Sequence, residues 1–262
     1  IDGSRTLLEG WLGMVGGMNR AGHEPARTVL TLGTGTNEPA SGHEVGGLAL
    51  ETLRDRDEYR GPAGAVKDAA GAVDASDDVL ICEAGMWGAL DLRSVLWAHR
   101  DREADVTVCR NPDGSPSGVY LARGWTLGLI QERGFMDLKE QWFTKVRSEG
   151  ASVRVFDCVG AGLRSVRTRE SYLDVCRRSI GEAEEPGGVF TDVSGSSRRW
   201  AIVGEGARVD ASALVSESVV MTGAEVEGGS VVVRSVVGPS VRVGRGEHLI
   251  DAVAGRAGVT HG

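Results

Sequence analysis

The sequence lacks the features that mark three classes of protein. No stretch approaches the roughly 18 consecutive apolar residues of a membrane span, so we expect no membrane partner. The 37 acidic residues outnumber the 29 Lys and Arg residues, which gives a net charge of −8, and no basic run is present, so we expect no nucleic-acid partner. Aromatic residues make up only 5% of the chain, too few for a base-stacking surface.

Cysteine is also scarce, and its spacing is uninformative for metal binding. The four residues, Cys82, Cys109, Cys158 and Cys176, form no Cys-x-x-Cys pair and have no His nearby in the sequence. Three of them lie in apolar runs, so we expect reduced core residues rather than metal ligands. This usage predicts a cytoplasmic protein.

Helical and strand patterns alternate from the N-terminus to about residue 178. Helices are predicted over 6–22, 44–56, 61–73, 92–101, 137–150 and 168–180, and strands over 27–33, 79–83, 104–111 and 151–160. Residues 112–124 predict a hairpin turn followed by an edge or antiparallel strand, and Asp91 and Thr168 are predicted helix caps. This order predicts an α/β domain with a mainly parallel sheet covered on both faces.

The pattern changes in the last third of the chain. Residues 179–200 are rich in Gly, Ser and Glu, have no clear period, and are predicted to form a linker. Aliphatic residues then recur six positions apart in three triplets, with five-residue steps between the triplets: Val203, Val209 and Val215; Val220, Val226 and Val232; Val237, Val243 and Leu249. This period is typical of hexapeptide repeats, so we predict a short left-handed parallel β-helix of about three coils over residues 201–255.

Short stretches along nearly the whole chain resemble one known family. They are LLEGWL at 7–12, GPAGAVKDA at 61–69, DDVLICEAGMWGALDL at 77–92, SGVYL at 117–121, MDLKEQWFTKVRSEG at 136–150 and RTRESYLDV at 167–175, followed by the repeats. In order and spacing they resemble the sugar-1-phosphate nucleotidyltransferases, such as mannose-1-phosphate guanylyltransferase. The resemblance implies a Rossmann-like nucleotidyltransferase domain over residues 1–178. We expect this domain to be incomplete, because the family's Gly-rich loop would precede Ile1.

The resemblance also implies a nucleotide-binding turn at Gly61, Pro62, Ala63 and Gly64. Small residues let backbone amides approach a base or phosphate, and the following helix presents its positive N-terminus. The alternative is a compact strand-to-helix turn that needs glycine for packing. The residues themselves favour neither interpretation.

The family holds a divalent cation with two aspartates, and both are missing from the corresponding positions. Alignment of VLICEAGMW with the family's strand end places Gly85 at the first, and alignment of LRSVRTRESYL places Ser165 at the second. Neither residue offers a carboxylate, so we assign no metal ligand, and the sequence identifies no cofactor that the protein must bind. Glu83, two residues before Gly85, is the one candidate for a catalytic or metal-binding acid, and Mg²⁺ is required only if transfer activity survives.

Other candidate substrate-binding residues lie beside these positions. Arg164 and Arg167 flank the second lost aspartate, and an Arg-rich site favours an anion over a metal. Trp87 follows the strand end and is a candidate to cover a bound base or sugar. Glu83 and Gly85, at the same strand end, are also candidate substrate-binding residues. Asp137, Lys139 and Glu140 are weaker candidates for contact with a sugar hydroxyl or phosphate, and an ordinary surface helix with an Asp cap is the favoured interpretation. Trp11, Trp97 and Trp142 are predicted to lie on apolar helix faces.

Three functions remain open on the sequence. The favoured one is a nucleotidyltransferase-like regulatory or scaffold subunit that binds a nucleotide, sugar phosphate or nucleotide sugar and assembles into homo- or hetero-oligomers through its β-helix. The second is an active sugar-1-phosphate nucleotidyltransferase with an atypical metal site. The third, ranked last, is a hexapeptide acyltransferase, for which only His248 and His261 are candidate bases.

Overall fold

The computed structural model describes residues 6–19, 25, 27–33, 48–55, 60–182 and 200–261. The chain divides into two compact units. The α/β unit comprises Leu8–Ala84 and Gly88–Leu163, and the coil unit comprises Ile1–Leu7, Gly85–Trp87 and Arg164–Gly262.

The first two thirds of the described chain contain six helices and eight strands. The helices are α1 (Leu7–Asn19), α2 (Gly61–Ala70), α3 (Leu92–Asp101), α4 (Gly124–Leu127), α5 (Phe143–Ser148), which follows a π-helical segment (Leu138–Trp142), and α6 (Arg169–Glu182). The strands are β1 (Thr28–Leu32), β2 (Leu50–Arg54), β3 (Asp78–Cys82), β4 (Met86–Gly88), β5 (Val106–Arg110), β6 (Pro116–Arg123), β7 (Val153–Asp157) and β8 (Leu163–Ser165).

The main sheet of the α/β unit is mixed rather than mainly parallel. Its order is β3-β6-β5-β7, in which β5 and β7 are parallel and β6 is antiparallel to both β3 and β5. Strands β1 and β2 form a separate parallel pair. The antiparallel strand predicted within residues 112–124 is therefore confirmed at Pro116–Arg123, but it is central and not at an edge. Its residues 117–122 are all buried, so both faces of this strand are covered.

The helix predicted over 44–56 is wrong for the part that the structure describes. Residues Leu50–Arg54 form β2, in parallel register with β1, so that Leu50 lies opposite Thr28 and Arg54 opposite Leu32. Pairing with a neighbouring strand overrides the local helical pattern, because the ladder satisfies backbone groups that the sequence pattern does not reveal. Residues 44–47 and 56 lie outside the described residues.

Both predicted helix caps are confirmed. Asp91 Oδ1 accepts a hydrogen bond from the Arg93 amide at 3.1 Å, at the start of α3. Thr168 Oγ1 accepts one from the Ser171 amide at 3.2 Å, at the start of α6. Each side chain satisfies an amide that has no partner inside its helix.

Two of the three predicted core tryptophans are buried. Trp11 is 7% exposed, and Trp142 is fully buried, with its indole Nε1 donating to the Thr126 carbonyl at 2.9 Å. Trp97 is 68% exposed, so its predicted apolar environment is wrong. Helix α3 turns Val95 and Leu96 inward, and this rotation leaves Trp97 outside.

The cysteines are free thiols. Cys109, Cys158 and Cys176 are buried and Cys82 is partly buried. Burial raises the pKa of Cys82 to about 12 and that of Cys176 to about 11, which keeps both protonated at neutral pH.

A partly buried carboxylate at the start of β3 is held by cations. Arg100 Nε donates to Asp78 Oδ2 at 2.7 Å, while Arg123 Nη1 lies 2.9 Å and His99 Nε2 3.4 Å from Oδ1. Burial alone would raise the pKa of Asp78, but the contacts with His99 and Arg100 and the charges of Arg123 and Arg100 outweigh it and lower the pKa to about 2.

The coil unit contains eleven short strands among the described residues. They are β9 (Ala201–Val203), β10 (Arg208–Val209), β11 (Leu214–Ser216), β12 (Ser218–Val220), β13 (Glu225–Val226), β14 (Val231–Val233), β15 (Val236–Val237), β16 (Arg242–Val243), β17 (His248–Ile250), β18 (Ala252–Gly255) and β19 (Gly258–His261).

These strands stack in three parallel ladders with a repeat of 17 residues. Val203 lies opposite Val220, and Val220 opposite Val237, an advance of 17 at each step. The other two ladders follow the same advance in the orders β10-β13-β16 and β11-β14-β17. All nine aliphatic positions found in the sequence lie in strands, and the interior they line is apolar. β19 turns back antiparallel to β18.

One corner of the coils repeats a left-handed backbone. Glu217, Arg234 and Asp251 are spaced by 17 residues and have φ of 50°, 46° and 54°. The hydroxyl of the following Ser218 donates to the Ser216 carbonyl at 2.7 Å and accepts from the Ser235 amide of the next coil at 3.0 Å. A buried side-chain hydrogen bond therefore links successive coils where the chain bends.

Helix α6 packs within the coil unit. Leu173 and Cys176 belong to an apolar cluster with Ile202, Val219 and Val236 of the first ladder. The contacts of α6 group it with the coils, whereas the bounds predicted at 178 and 200 place most of this helix in the first domain. Those bounds stay a prediction. No helix in the described part of the chain is long and apolar enough to span a membrane.

We expect Val232→Ala to destabilise the coils. Val232 is fully buried at the middle step of its ladder, opposite Val215 and Leu249, so the loss of two methyl groups leaves a gap. The free energy of unfolding should fall by about 2 kcal/mol in urea denaturation. Val259→Ala is the control, since Val259 is 42% exposed, and its effect should stay within about 0.5 kcal/mol. Equal losses in the two variants would contradict an apolar coil interior.

The Asp78 contacts predict a loss of stability in acid. The pKa of Asp78 in the folded state, about 2, lies below its ordinary value of 3.8, so the folded state binds fewer protons than the unfolded state. The resulting stabilisation, about 2 kcal/mol, is complete near pH 6. It is lost as the pH falls from about 5 to 2. Asp78→Asn should be less stable than the natural chain at pH 6, and the two should converge near pH 2. Asp157→Asn, which alters an exposed pair with Arg110, should show a smaller difference; a gap for Asp78→Asn that does not narrow in acid would refute the assignment.

Candidate functional site

The predicted nucleotide-binding turn is tightly packed against the protein itself. Gly61 has a φ of +76°, and a Cβ at this position would lie 2.6 Å from the Met136 carbonyl oxygen. A Cβ on Gly64 would overlap the Cβ of Arg60. The Ala63 amide donates to Met136 O at 3.1 Å, so one early amide of α2 already has a partner. Packing therefore requires these glycines, and nucleotide binding at Gly61–Gly64 stays a prediction.

A buried ion pair that the sequence did not reveal lies beneath this turn. Arg60 is 4% exposed, its Nη1 lies 2.5 Å from Asp68 Oδ1, and its Nη2 donates to the Gln131 carbonyl at 2.6 Å. Arg60 is the N-cap residue of α2 and Asp68 lies near the end of the same helix, eight positions later, a spacing that has no signature in sequence. The pair fixes the start of α2 against the loop that carries Gln131.

A small cavity of about 50 Å³ opens beside α2, at the carboxyl ends of β1 and β2. Its lining residues are Thr31, Leu53, Arg54, Asp55, Ala65 and Asp68. Ligands commonly bind at the carboxyl ends of parallel strands, but a cavity of this volume has room for only a few water molecules. None of these residues was a sequence candidate, because β2 was predicted to be helical.

Glu83 follows β3 and is already engaged by two side chains of the same unit. Its Oε1 accepts a hydrogen bond from the Tyr120 hydroxyl at 2.8 Å and lies 2.9 Å from Lys139 Nζ. The Glu83 side chain is 15% exposed. Its carboxylate therefore holds an ammonium group and a phenol. Among the described residues, no group of three or more His, Cys, Asp and Glu side chains is placed to hold a metal ion.

Lys139 differs from its predicted role as an ordinary charge on a surface helix. The Asp137 cap is confirmed, since Oδ1 accepts from the Lys139 and Glu140 amides at 2.7 and 2.9 Å. The Lys139 side chain, however, reaches Glu83 on another part of the α/β unit. Tyr120 was missed as well, because its approach to Glu83 depends on the antiparallel register that sets Ile81 opposite Tyr120.

In the coil unit, Gly85, Ser165 and Arg167 come together. The Val166 amide donates to the Gly85 carbonyl at 2.9 Å. A Cβ on Gly85 would lie 2.8 Å from Cγ and 2.9 Å from Nε of Arg167, so the arginine side chain lies directly over the glycine. Arg167 is exposed. On β8, Ser165 is exposed and Arg164 is partly buried. The backbone of Gly85 thus lies beside the segment that follows Ser165, and the Arg167 side chain covers Gly85.

The remaining side chains near this group contact the coils. Arg169 pairs with Glu170 and lies 3.5 Å from Asp251, so it faces a coil corner. Trp87 is partly buried and packs against the apolar cluster that includes Leu173 of α6. Its predicted role as a cover for a base or sugar is untested, but a structural role in the coil unit is evident from this packing.

The packing around Gly61 predicts opposite effects for two glycine-to-alanine variants. Gly61→Ala should lower the free energy of unfolding by about 2 kcal/mol, because the new Cβ meets Met136 O and the left-handed backbone disfavours alanine. Gly13→Ala, within α1 and with no atom within 4 Å of the added Cβ, should raise it by up to about 1 kcal/mol. Thermal and urea unfolding would measure both. A neutral Gly61→Ala variant would show that the turn is free to adjust.

Comparison with known proteins adds no family assignment. No protein-family model matches the chain, and a search of curated proteins gives no significant match. The resemblance to the nucleotidyltransferases therefore rests on the order and spacing of short motifs alone.

Proposed function

We propose that this chain is a nucleotidyltransferase-like protein that binds a nucleotide, sugar phosphate or nucleotide sugar without a metal ion and without transfer activity. In this proposal a Rossmann-like domain is followed by a left-handed parallel β-helix of hexapeptide repeats. The 17-residue advance of the coil ladders supports the second part, because it equals two six-residue steps and one five-residue step of the sequence pattern.

The position of Arg167 over Gly85 carries the functional proposal. A carboxylate at position 85 would attract a divalent cation, whereas a guanidinium repels one and binds phosphate oxygens through paired N–H donors. Gly85 leaves the space that the Arg167 side chain occupies, with its Cγ 2.8 Å from the place of a Cβ. An arginine that replaces the metal charge permits anion binding, but it supplies no coordinated metal for phosphoryl transfer.

The engagement of Glu83 supports the same conclusion. To serve as a metal ligand or catalytic acid, Glu83 would have to release Lys139, whose Nζ lies 2.9 Å away. Release would separate a carboxylate that is only 15% exposed from the ammonium of Lys139, which is unfavourable.

The compartment and the oligomer contacts belong to the same proposal. The free thiols fit a reducing compartment such as the cytoplasm. The parallel edges of β16 and β17 offer surfaces for homo- or hetero-oligomers.

The second candidate is an active sugar-1-phosphate nucleotidyltransferase with an atypical Mg²⁺ site. It is favoured by one observation: Glu83 directly follows the carboxyl end of β3, where ligands of α/β sheets commonly bind. In that case Glu83 exchanges Lys139 for the metal when substrates bind.

Calorimetric titration with GDP-mannose, UDP-glucose, GTP and mannose 1-phosphate tests the proposal. Binding of at least one of these ligands should be equal in EDTA and in Mg²⁺. Arg167→Ala should weaken it roughly tenfold, because a charged hydrogen bond to phosphate is lost. Arg208→Ala is the control, since that side chain is 82% exposed on the coils and pairs only loosely with Glu225 at 3.5 Å.

Two results would contradict the metal-free binding role. One is binding that requires Mg²⁺ and is unaffected by Arg167→Ala. The other is Mg²⁺-dependent release of pyrophosphate from a nucleoside triphosphate and a sugar phosphate, abolished by Glu83→Gln, which would establish the enzyme instead.

A further inference from the structure

Lys139 contacts Glu83 just past the carboxyl end of β3, and about half of its side chain is open to solvent. Its side chain is 47% exposed, whereas that of its partner Glu83 is 15% exposed. A lysine ammonium has three N–H donors, and the contact with Glu83 Oε1 at 2.9 Å engages one of them. The remaining donors are available to an anion that approaches from solvent.

The surroundings fix this lysine from both ends. Its amide donates to the Asp137 cap at 2.7 Å, in a π-helical segment that ends at Trp142, whose indole is anchored to Thr126 O. On the other side, Glu83 is held by the hydroxyl of Tyr120, which is 1% exposed. Both the backbone and the charged tip of Lys139 therefore have defined positions, which lowers the entropy lost when an anion binds.

A glutamate that holds a lysine need not cancel its use for phosphate. In protein kinases a Lys–Glu ion pair positions the lysine on the phosphates of the nucleotide. Here the Tyr120 hydroxyl donates to the same carboxylate oxygen. This hydrogen bond partly offsets the negative charge of Glu83, so the carboxylate neutralises the lysine ammonium less completely. The carboxylate acts as an anchor for the cation.

We propose that Lys139 is a phosphate-binding residue of the α/β unit and that Glu83 is its positioning residue. The ligand class, a phosphorylated sugar or nucleotide, rests on the proposed function. The phosphate contact itself rests on the geometry of Lys139, Glu83 and Tyr120. From the sequence, Lys139 was a disfavoured candidate for contact with a sugar hydroxyl or phosphate, Tyr120 had no role, and Glu83 was a candidate acid or substrate-binding residue. The positioning of Lys139 by Glu83 comes from the structure.

The chain has three lysines, which allows a direct test on the full-length protein. With lysine labelled by ¹³C at Cε, each side chain gives its own NMR cross-peak. Lys67 and Lys145 are internal references, because their Nζ groups donate to the carbonyls of Ile130 at 2.6 Å and Leu129 at 2.8 Å. On titration with sodium pyrophosphate, the Lys139 peak should shift and saturate while the other two stay in place. No shift at Lys139, or an equal shift at all three, would overturn the inference.

A pair of matched variants extends the test to affinity. Lys139→Gln should weaken binding of pyrophosphate roughly tenfold, whereas Lys145→Gln, with the same change in charge, should leave it within about twofold. Equal affinities for the two variants would refute a phosphate contact at Lys139. If a member of the calorimetric panel binds and pyrophosphate leaves the Lys139 peak in place, the inference fails while the proposed function stands.

Glu83→Gln tests the positioning role. The variant keeps an acceptor for Tyr120 but removes the charge that holds the ammonium, so the Lys139 peak of the ligand-free protein should move while the peaks of Lys67 and Lys145 do not. Pyrophosphate should then shift it less than in the natural chain. An unchanged Lys139 peak would show that Glu83 does not hold the lysine. If pyrophosphate shifts Lys139 but no member of the calorimetric panel binds, the phosphate contact stands and the proposed function falls.

Discussion

Carboxylates that are shielded from solvent must be matched by positive charge, and in the α/β unit this charge comes from the chain's own side chains. Three such pairs stand out among the described residues: Asp68 with Arg60, Asp78 with Arg100, and Glu83 with Lys139. Removal of a buried carboxylate's partner is strongly unfavourable, so each pair also fixes the elements that carry it. In each pair a guanidinium or ammonium group of the chain itself supplies the balancing charge.

The coil unit was more predictable from sequence than the α/β unit, for a physical reason. Val209, Val226 and Val243 lie at the same register position of successive coils, and each must be apolar because it faces the shared interior. A repeated constraint leaves a repeated pattern. The segment around Leu50–Arg54 had no such repetition, and its strand conformation depends on β1, a partner that the local pattern does not identify.

The candidate site was predictable only in part. The resemblance drew attention to Gly85 and Ser165 and to Arg167 as a nearby cation, and these residues are close because the amide of Val166 donates to the carbonyl of Gly85. The contact of Glu83 with Lys139 joins residues 56 positions apart. It depends on the central place of β6 and on the π-helical segment, and neither leaves a mark in hydrophobic periodicity. A resemblance of short motifs can direct attention to particular positions, but which side chains meet in space depends on the fold.

The reversed strand β19 has a consequence for how the coil stack could lengthen. Each coil exposes a backbone edge that can template one more parallel strand, so a stack of this kind has no intrinsic upper size. On the ladder that ends in β18, this edge is occupied by β19 running in the opposite direction, with Gly255 opposite Gly258. The hairpin acts as a terminator of that ladder. Extension of that ladder beyond β18 is therefore blocked, whereas a copy of the 17-residue module inserted at an internal position would find matching edges above and below.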